Sequence, residues 1–167
     1  MNAHQSRWTK IFGSGPIGLL ISLILFFVAY EINKRINPPR LIESQLILNA
    51  VFLLSLVATL SIIIWSVRSL PASERGNKLS TQGAFRYVRH PLYAAFLSIF
   101  NFGLAVHFNS YIYVLWAILL HPVWHWVIRY EERLMIGIFG EAYVEYQRTT
   151  GRFFPRFWDR HRRRESR

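Results

Sequence analysis

"LYAAFLSIFNFGLAVHFNSYIYVLWAILLHPVWHWVI", residues 92–128, decides the fold. It holds two apolar runs, Leu92–His107 and Tyr111–Ile128, separated only by "FNS". A connection that short folds two helices back on each other as an antiparallel hairpin. Two further apolar runs precede it: Gly15–Ile32, "GPIGLLISLILFFVAYEI", and Leu46–Val67. At 1.5 Å rise per residue, about 20 apolar residues cross the hydrocarbon of a bilayer. The sequence therefore reads as all-α: an integral membrane helical bundle of about four transmembrane helices, the last two a helical hairpin, then a cytosolic C-terminal helical segment. One membrane domain covers residues 1–167, with spans at 15–32, 46–67, 92–107 and 111–128. Residues 129–158 follow as the C-terminal segment and 159–167 as a basic tail.

Composition agrees with this. Of the 167 residues, 52% are hydrophobic, yet the formal net charge is +11. The basic residues flank apolar runs, which points to an anionic membrane surface and not to nucleic acid. With no cysteine, disulfides, thiolate metal sites and a Cys nucleophile are excluded. Arg7 and Lys10 precede the first run as in a signal peptide. No small-x-small cleavage pattern follows, so the run reads as a retained anchor. Lys and Arg concentrate before the first run, in the second loop (68–91) and in the tail, seventeen in all, against three in the first loop (Lys34, Arg35, Arg40) and none in the third. Positive-inside orientation then places both termini in the cytosol. A short chain without targeting features points to a prokaryotic inner membrane. Tyr111, Tyr113 and Trp116 at one end of the fourth span, and Trp124 and Trp126 at the other, read as interfacial belts. "INPPR" (36–40) is a turn, because Pro38 and Pro39 cannot continue a helix, and "HRRRESR" (161–167) reads as a solvated tail near headgroups.

Two polar clusters interrupt this pattern. In "RYVRHPLYAA" (86–95), Pro91 suits the first turn of a helix, where its missing N–H costs nothing. The third span is expected to start there, with His90 at its N-cap. Free N–H groups at such a start attract carboxylates and phosphates, with Arg86 and Arg89 adding to the field. The bland alternative is a basic anchor with a helix-starting proline. The second cluster is "RYEERLMIGIFGEAYVEYQRTTGRFFP" (129–155). Glu131 and Glu132 point about 100° apart on a helix, so at most one aims squarely into a pocket. Acids at a membrane boundary must be paired or wet; ribose hydroxyls, Arg129 and Arg133 are the partners in reach. Tyr143 and Tyr146 share a helix face and could stack on an aromatic ligand or sit in the headgroup belt. In the fourth span, Pro122 removes the hydrogen bond to the Ile118 carbonyl and is expected to kink the helix. His121 and His125 share a face at i and i+4, but no third ligand completes a metal site. A cavity-lining role fits them better. Asn49 and Asn101 read as helix–helix glue.

Together the two clusters resemble the isoprenylcysteine carboxyl methyltransferase family and its phospholipid methyltransferase relatives. The matching residues are "STQGAFRYVRHPLY" (80–93) and "EERLMIGIFGEAYVEYQRTTGRFFP" (131–155). The resemblance implies a membrane enzyme that methylates a lipid or isoprenoid acceptor with S-adenosylmethionine. In such enzymes the cofactor lies at the cytosolic helix ends, under the C-terminal segment. Carried over by position, His90, Pro91, Leu92 and Tyr93 contact the cofactor, Leu79 and Phe85 line its pocket, and Glu131 holds a hydroxyl or amine. Arg89, Tyr143 and Tyr146 join them as candidate cofactor residues. Arg129 and Glu132 are the candidate catalytic residues, and His125 the candidate substrate residue. Ala95 stands where the family often has Gly. Val127 stands where the prenylcysteine enzymes place an Arg, which counts against a prenylcysteine carboxylate as substrate.

Two rivals share parts of this pattern: a nicotinamide-dependent reductase of the sterol-reductase type, and a non-enzymatic lipid-binding bundle. The first usually needs more spans than four. Neither the acceptor nor the oligomeric state is readable from the sequence.

Overall fold

The computed structural model describes residues 14–71 and 77–156. Arg7, Lys10 and the basic tail lie outside the described residues. All regular structure among the described residues is helical. Helix α1 is Gly15–Ile36 and α2 is Gln45–Ser69. The third helix, α3, is Pro91–His107, with one π-helical turn at Phe96–Phe100. Helix α4 is Tyr111–Phe139, and the short α5 is Glu141–Thr149. Three of them (α1, α2 and α4) are long and apolar enough to cross a membrane; α3 is apolar but shorter.

Burial runs opposite to that of a water-soluble protein. The exposed side chains of α1 and α2 include Phe27, Leu46 and Leu54 at 62%, 79% and 70% exposure. Ser22, Thr59 and Ser66 are buried. Lipid is as apolar as leucine, so large side chains gain nothing by turning inward, and small or hydroxylated residues that let backbones approach occupy the contacts instead. Helix α1 packs on α4, α2 on α3, and α3 on α4. At the first contact a Cβ on Gly18 would lie 2.7 Å from the Trp124 ring. That indole donates its Nε1–H to Ser22 Oγ at 2.9 Å, and the Ser22 hydroxyl donates to the Gly18 carbonyl at 2.8 Å. At the second, a Cβ on Gly103 would fall 1.8 Å from Ser55 Oγ.

The chain reverses where its sequence predicts. Asn37 ends α1 with φ 47, ahead of the two prolines. Asn109, with φ 53, turns the hairpin between α3 and α4. Its side chain ties the two loops together: Oδ1 accepts from the amides of Leu41 and Ile42 at 3.0 and 2.9 Å, and Nδ2 donates to the Ile42 carbonyl at 2.7 Å. These loops occupy one end of the bundle, while Ser14, Tyr93 and Glu131 meet at the other. Both polar clusters of the sequence are therefore at one end.

Two expectations change, and one is sharpened. The fourth span and the first part of the C-terminal helical segment are one helix, α4, which runs through Pro122 without a break to Phe139. Arg129, Glu131 and Glu132 are good helix formers, so polarity alone does not stop the helix. Gly140, at φ 56, stops it. At about 43 Å by its rise per residue, α4 is longer than the hydrocarbon is thick. The aromatic belts are only half present: Tyr111 and Trp126 are exposed, whereas Tyr113, Trp116 and Trp124 are buried against protein. Asn49, read as helix–helix glue, is exposed and accepts from Gln45 on its own helix, while Asn101 is buried.

The Gly103–Ser55 contact gives a direct test of the α2–α3 packing. Gly103→Val should overpack it and cost about 1–3 kcal/mol, seen as a lower thermal midpoint in detergent. Adding Ser55→Gly should return part of the loss. A Gly103→Val chain as stable as wild type would show that the two helices are not pressed together.

Candidate active site

The site is assembled by stitching two distant segments. Gly83, at φ 58, opens a 3₁₀ turn, Gly83–Arg86, laid against the end of α2. The Ala84 amide donates to Ser69 Oγ at 3.3 Å. Beyond it, Val88 bridges to Gly151. The Arg89 amide donates to the Gly151 carbonyl at 2.8 Å, and the His90 amide to the Arg152 carbonyl at 3.1 Å. Pro91 then starts α3 with His90 at the N-cap, as the sequence predicts. The residues after α5 thus lie along the entry to α3.

The two adjacent glutamates of α4 part company. Glu132 is buried, and its Oε1 accepts from Arg89 Nε and Nη2 at 2.9 and 2.7 Å. Its Oε2 accepts from Arg152 Nη2. Arg89 Nη1 donates to the carbonyls of Gln147 and Thr150, and Arg152 Nη1 to that of His125 at 3.1 Å. Arg89 is thereby committed to protein partners. Two guanidiniums on one carboxylate hold it in its charged form and lock three chain segments together.

Glu131 turns toward the start of α1. Its Oε2 accepts from the Ser14 hydroxyl at 3.0 Å, the Ser14 amide at 3.3 Å and the Tyr93 hydroxyl at 3.3 Å. Its side chain remains 21% exposed. His90 sits between the two acids: Nδ1 is 3.8 Å from Glu131 Oε1, and Nε2 is 3.4 Å from Glu132 Oε1. The latter places His90 beside the two arginines among the groups that hold the Glu132 carboxylate charged. The His90 ring stacks on Tyr93, and Tyr93 packs against Trp124 with centroids 4.9 Å apart.

The other candidates fall around this core. Leu79 and Phe85 are half-buried in the loop before α3, and Leu92 is half-buried in its first turn. Tyr143 and Tyr146 are buried and meet edge-to-face at 6.0 Å, and the Tyr146 hydroxyl donates to the Phe85 carbonyl. Burial pushes both phenols above their ordinary range, so they serve as neutral walls. His125 packs edge-on to Phe153 at 4.7 Å, and its Nδ1 lies 3.0 Å from the His121 carbonyl. Among the described residues no three His, Asp or Glu side chains converge as a metal ion requires. Arg129 is exposed on the wall of a groove of about 750 Å³ that Ser14 and Glu132 also line. Sequence reasoning missed Ser14, Trp124, Arg152 and Phe153. Arg152 and Phe153 stand in "GRFFP", where their charge and ring were visible but their contacts were not.

Arg89→Ala strands the buried Glu132 carboxylate and should cost about 3–5 kcal/mol. Replacing both partners with apolar residues, Arg89→Met with Glu132→Leu, should cost less than Arg89→Ala alone. Limited proteolysis of Arg89→Ala should cut the 150–156 segment earlier than in wild type. Equal rates would mean that something else holds it.

The chain matches the family model described as phospholipid methyltransferase over residues 43–142. No curated protein and no solved structure matches it. The matched stretch takes in α2, the His90–Tyr93 turn, the hairpin and the Glu131–Glu132 pair. It leaves the stitched segment after α5 outside. With more than half of its residues in that match, the protein belongs to the phospholipid methyltransferase family.

Proposed function

We propose that the protein transfers a methyl group from S-adenosylmethionine to a membrane lipid at the bundle end that carries His90 and Glu131. The observation that carries this is the division of labour between the acids. Glu132 is spent on two arginines, while Glu131 keeps a partly open carboxylate beside Tyr93, Trp124 and His90. That donor set fits the cofactor. A carboxylate flanked by aromatic rings suits a cation with hydroxyl and amine donors.

When bound, the cofactor supplies an electrophilic methyl group on a sulfonium. The residues then have few tasks beyond alignment and charge placement. Glu131 balances positive charge and takes a hydrogen bond from a hydroxyl or amine. Tyr93 and Trp124 present ring faces, and Leu79, Phe85 and Leu92 close the apolar side. Tyr143 and Tyr146 back the wall from beneath α5. Arg89 and Glu132 position these groups by holding α3, α4 and the segment after α5 in one arrangement. An amine acceptor must lose a proton to become nucleophilic, and we assign that proton to His90; a carboxylate acceptor needs no base. Arg129 and His125 belong to the acceptor side. Among the described residues most of the basic side chains lie at the same end, which supports four spans, with α3 as the third and both termini in the cytosol.

Calorimetry with detergent-solubilised protein should show S-adenosylmethionine binding that weakens more than tenfold in Glu131→Gln, the loss of about one charge-assisted contact. His90→Ala should weaken it as well. Labelled methyl groups should pass to a total membrane-lipid extract. Binding unchanged in both variants would remove these residues from the site, and no labelled lipid from wild type would defeat the activity.

A further inference from the structure

Glu131 is held from outside the stretch that matches the family. Ser14, at the N-cap of α1, lies 117 residues before it and outside residues 43–142. An N-cap serine ordinarily accepts from an amide in the first turn of its own helix. Ser14 does not: its hydroxyl makes no cap bond and donates instead to Glu131 Oε2 at 3.0 Å. Its amide donates to the same oxygen at 3.3 Å, and so does the Tyr93 hydroxyl, also at 3.3 Å. Ser14 is 3% exposed, so solvent does not readily replace these bonds. The next residue suits the same arrangement. A Cβ on Gly15 would stand 3.1 Å from the Tyr93 hydroxyl and press on it. The helix that delivers Ser14 is itself fixed, because Gly18 and Ser22 both meet Trp124 of α4.

We infer that Ser14 is a positioning residue for the cofactor site: it turns the Glu131 carboxylate so that Oε2 faces α1 and Oε1 is the oxygen left to a bound cation. Each carboxylate oxygen offers about two lone-pair sites. Three donors already crowd Oε2, so it has no capacity left for a ligand. Oε1 lies toward His90, 3.8 Å from its Nδ1. A carboxylate free to turn would have to be ordered when the ligand arrives, and one fixed beforehand avoids that cost. Helix α1 is therefore part of the site as well as an anchor. The inference rests on the reading above only in taking the bound cation to be S-adenosylmethionine.

Calorimetry with S-adenosylmethionine on the full chain should show binding weakened about three- to tenfold in Ser14→Ala, as one hydrogen bond allows. Ser14→Thr, which keeps the hydroxyl, should recover most of the loss. Ser14→Gly, well tolerated at an N-cap, should repeat it and serves where the Ala chain folds poorly. Ala29→Gly, buried about four turns further along the same helix, should lower the thermal midpoint and leave binding unchanged. The contact itself is read without cofactor: the thermal midpoint of Ser14→Ala with Glu131→Ala should fall no further than that of Glu131→Ala alone. Additive losses there would show that the two side chains do not act together and would overturn the assignment. Unchanged or tighter binding in Ser14→Ala, as full a loss in Ser14→Thr, or an equal weakening in Ala29→Gly would overturn it as well. Wild type that binds no S-adenosylmethionine would defeat the proposed function and this inference with it, whereas wild-type binding with Ser14→Ala unaffected defeats the inference alone.

Discussion

Everything at the functional end of the bundle depends on one buried carboxylate. Glu132 of α4 receives Arg89 from the entry of α3 and Arg152 from the segment after α5. Desolvating three charges is costly, and a buried ion cluster is weak as a source of net stability. Its value lies in register. Arg89 cannot reach Glu132 and the carbonyls of Gln147 and Thr150 together unless α4, α5 and the Val88–His90 strip are in one arrangement. That arrangement sets His90 between the two acids and Tyr93 against Glu131.

The membrane imposes the complementary constraint. An interior held by Ser22, Gly18 and Gly103 and an exterior of Leu and Phe leave no hydrophobic force to pull the helices together. Close backbone approach and local hydroxyl bonds must do it. Ser22 and Ser66 each donate to the carbonyl four residues back, so their hydroxyls are satisfied before any helix packs on them. Side chains that need several strong partners are then placed at the bundle end, beside water and headgroups. The ion cluster and the open Glu131 therefore share one end with most of the described basic residues.

Much of this was legible in the sequence. Run length marks α1, α2 and α4, the three-residue "FNS" enforces the hairpin, and Pro91 names the first turn of α3. These are local signals. The misses are contacts made across the chain. A uniformly apolar run looks the same toward lipid as toward another helix, so nothing in the sequence separates the buried Trp124 from the exposed Trp126. The fourth span and the helical segment after it read as two pieces, and nothing in the sequence says that they form one helix up to Gly140. In the site, the 100° offset says that Glu131 and Glu132 must diverge, but not which one goes inward. That choice is made by Arg89, 43 residues before Glu132, and Arg152, 20 residues after it.

The divergence also explains why a pair of acids is useful where one would seem enough. Two guanidiniums against Glu132 alone would leave a net positive charge beside the site, repelling a cation. Glu131 brings the local sum of these four groups to zero and puts its negative charge on the open side. Glu131 would therefore favour a bound cation on the side of the site that Tyr93 closes, and the order of the acids along α4 fixes which side that is, because only the carboxylate between Arg89 and Arg152 can be spent on them.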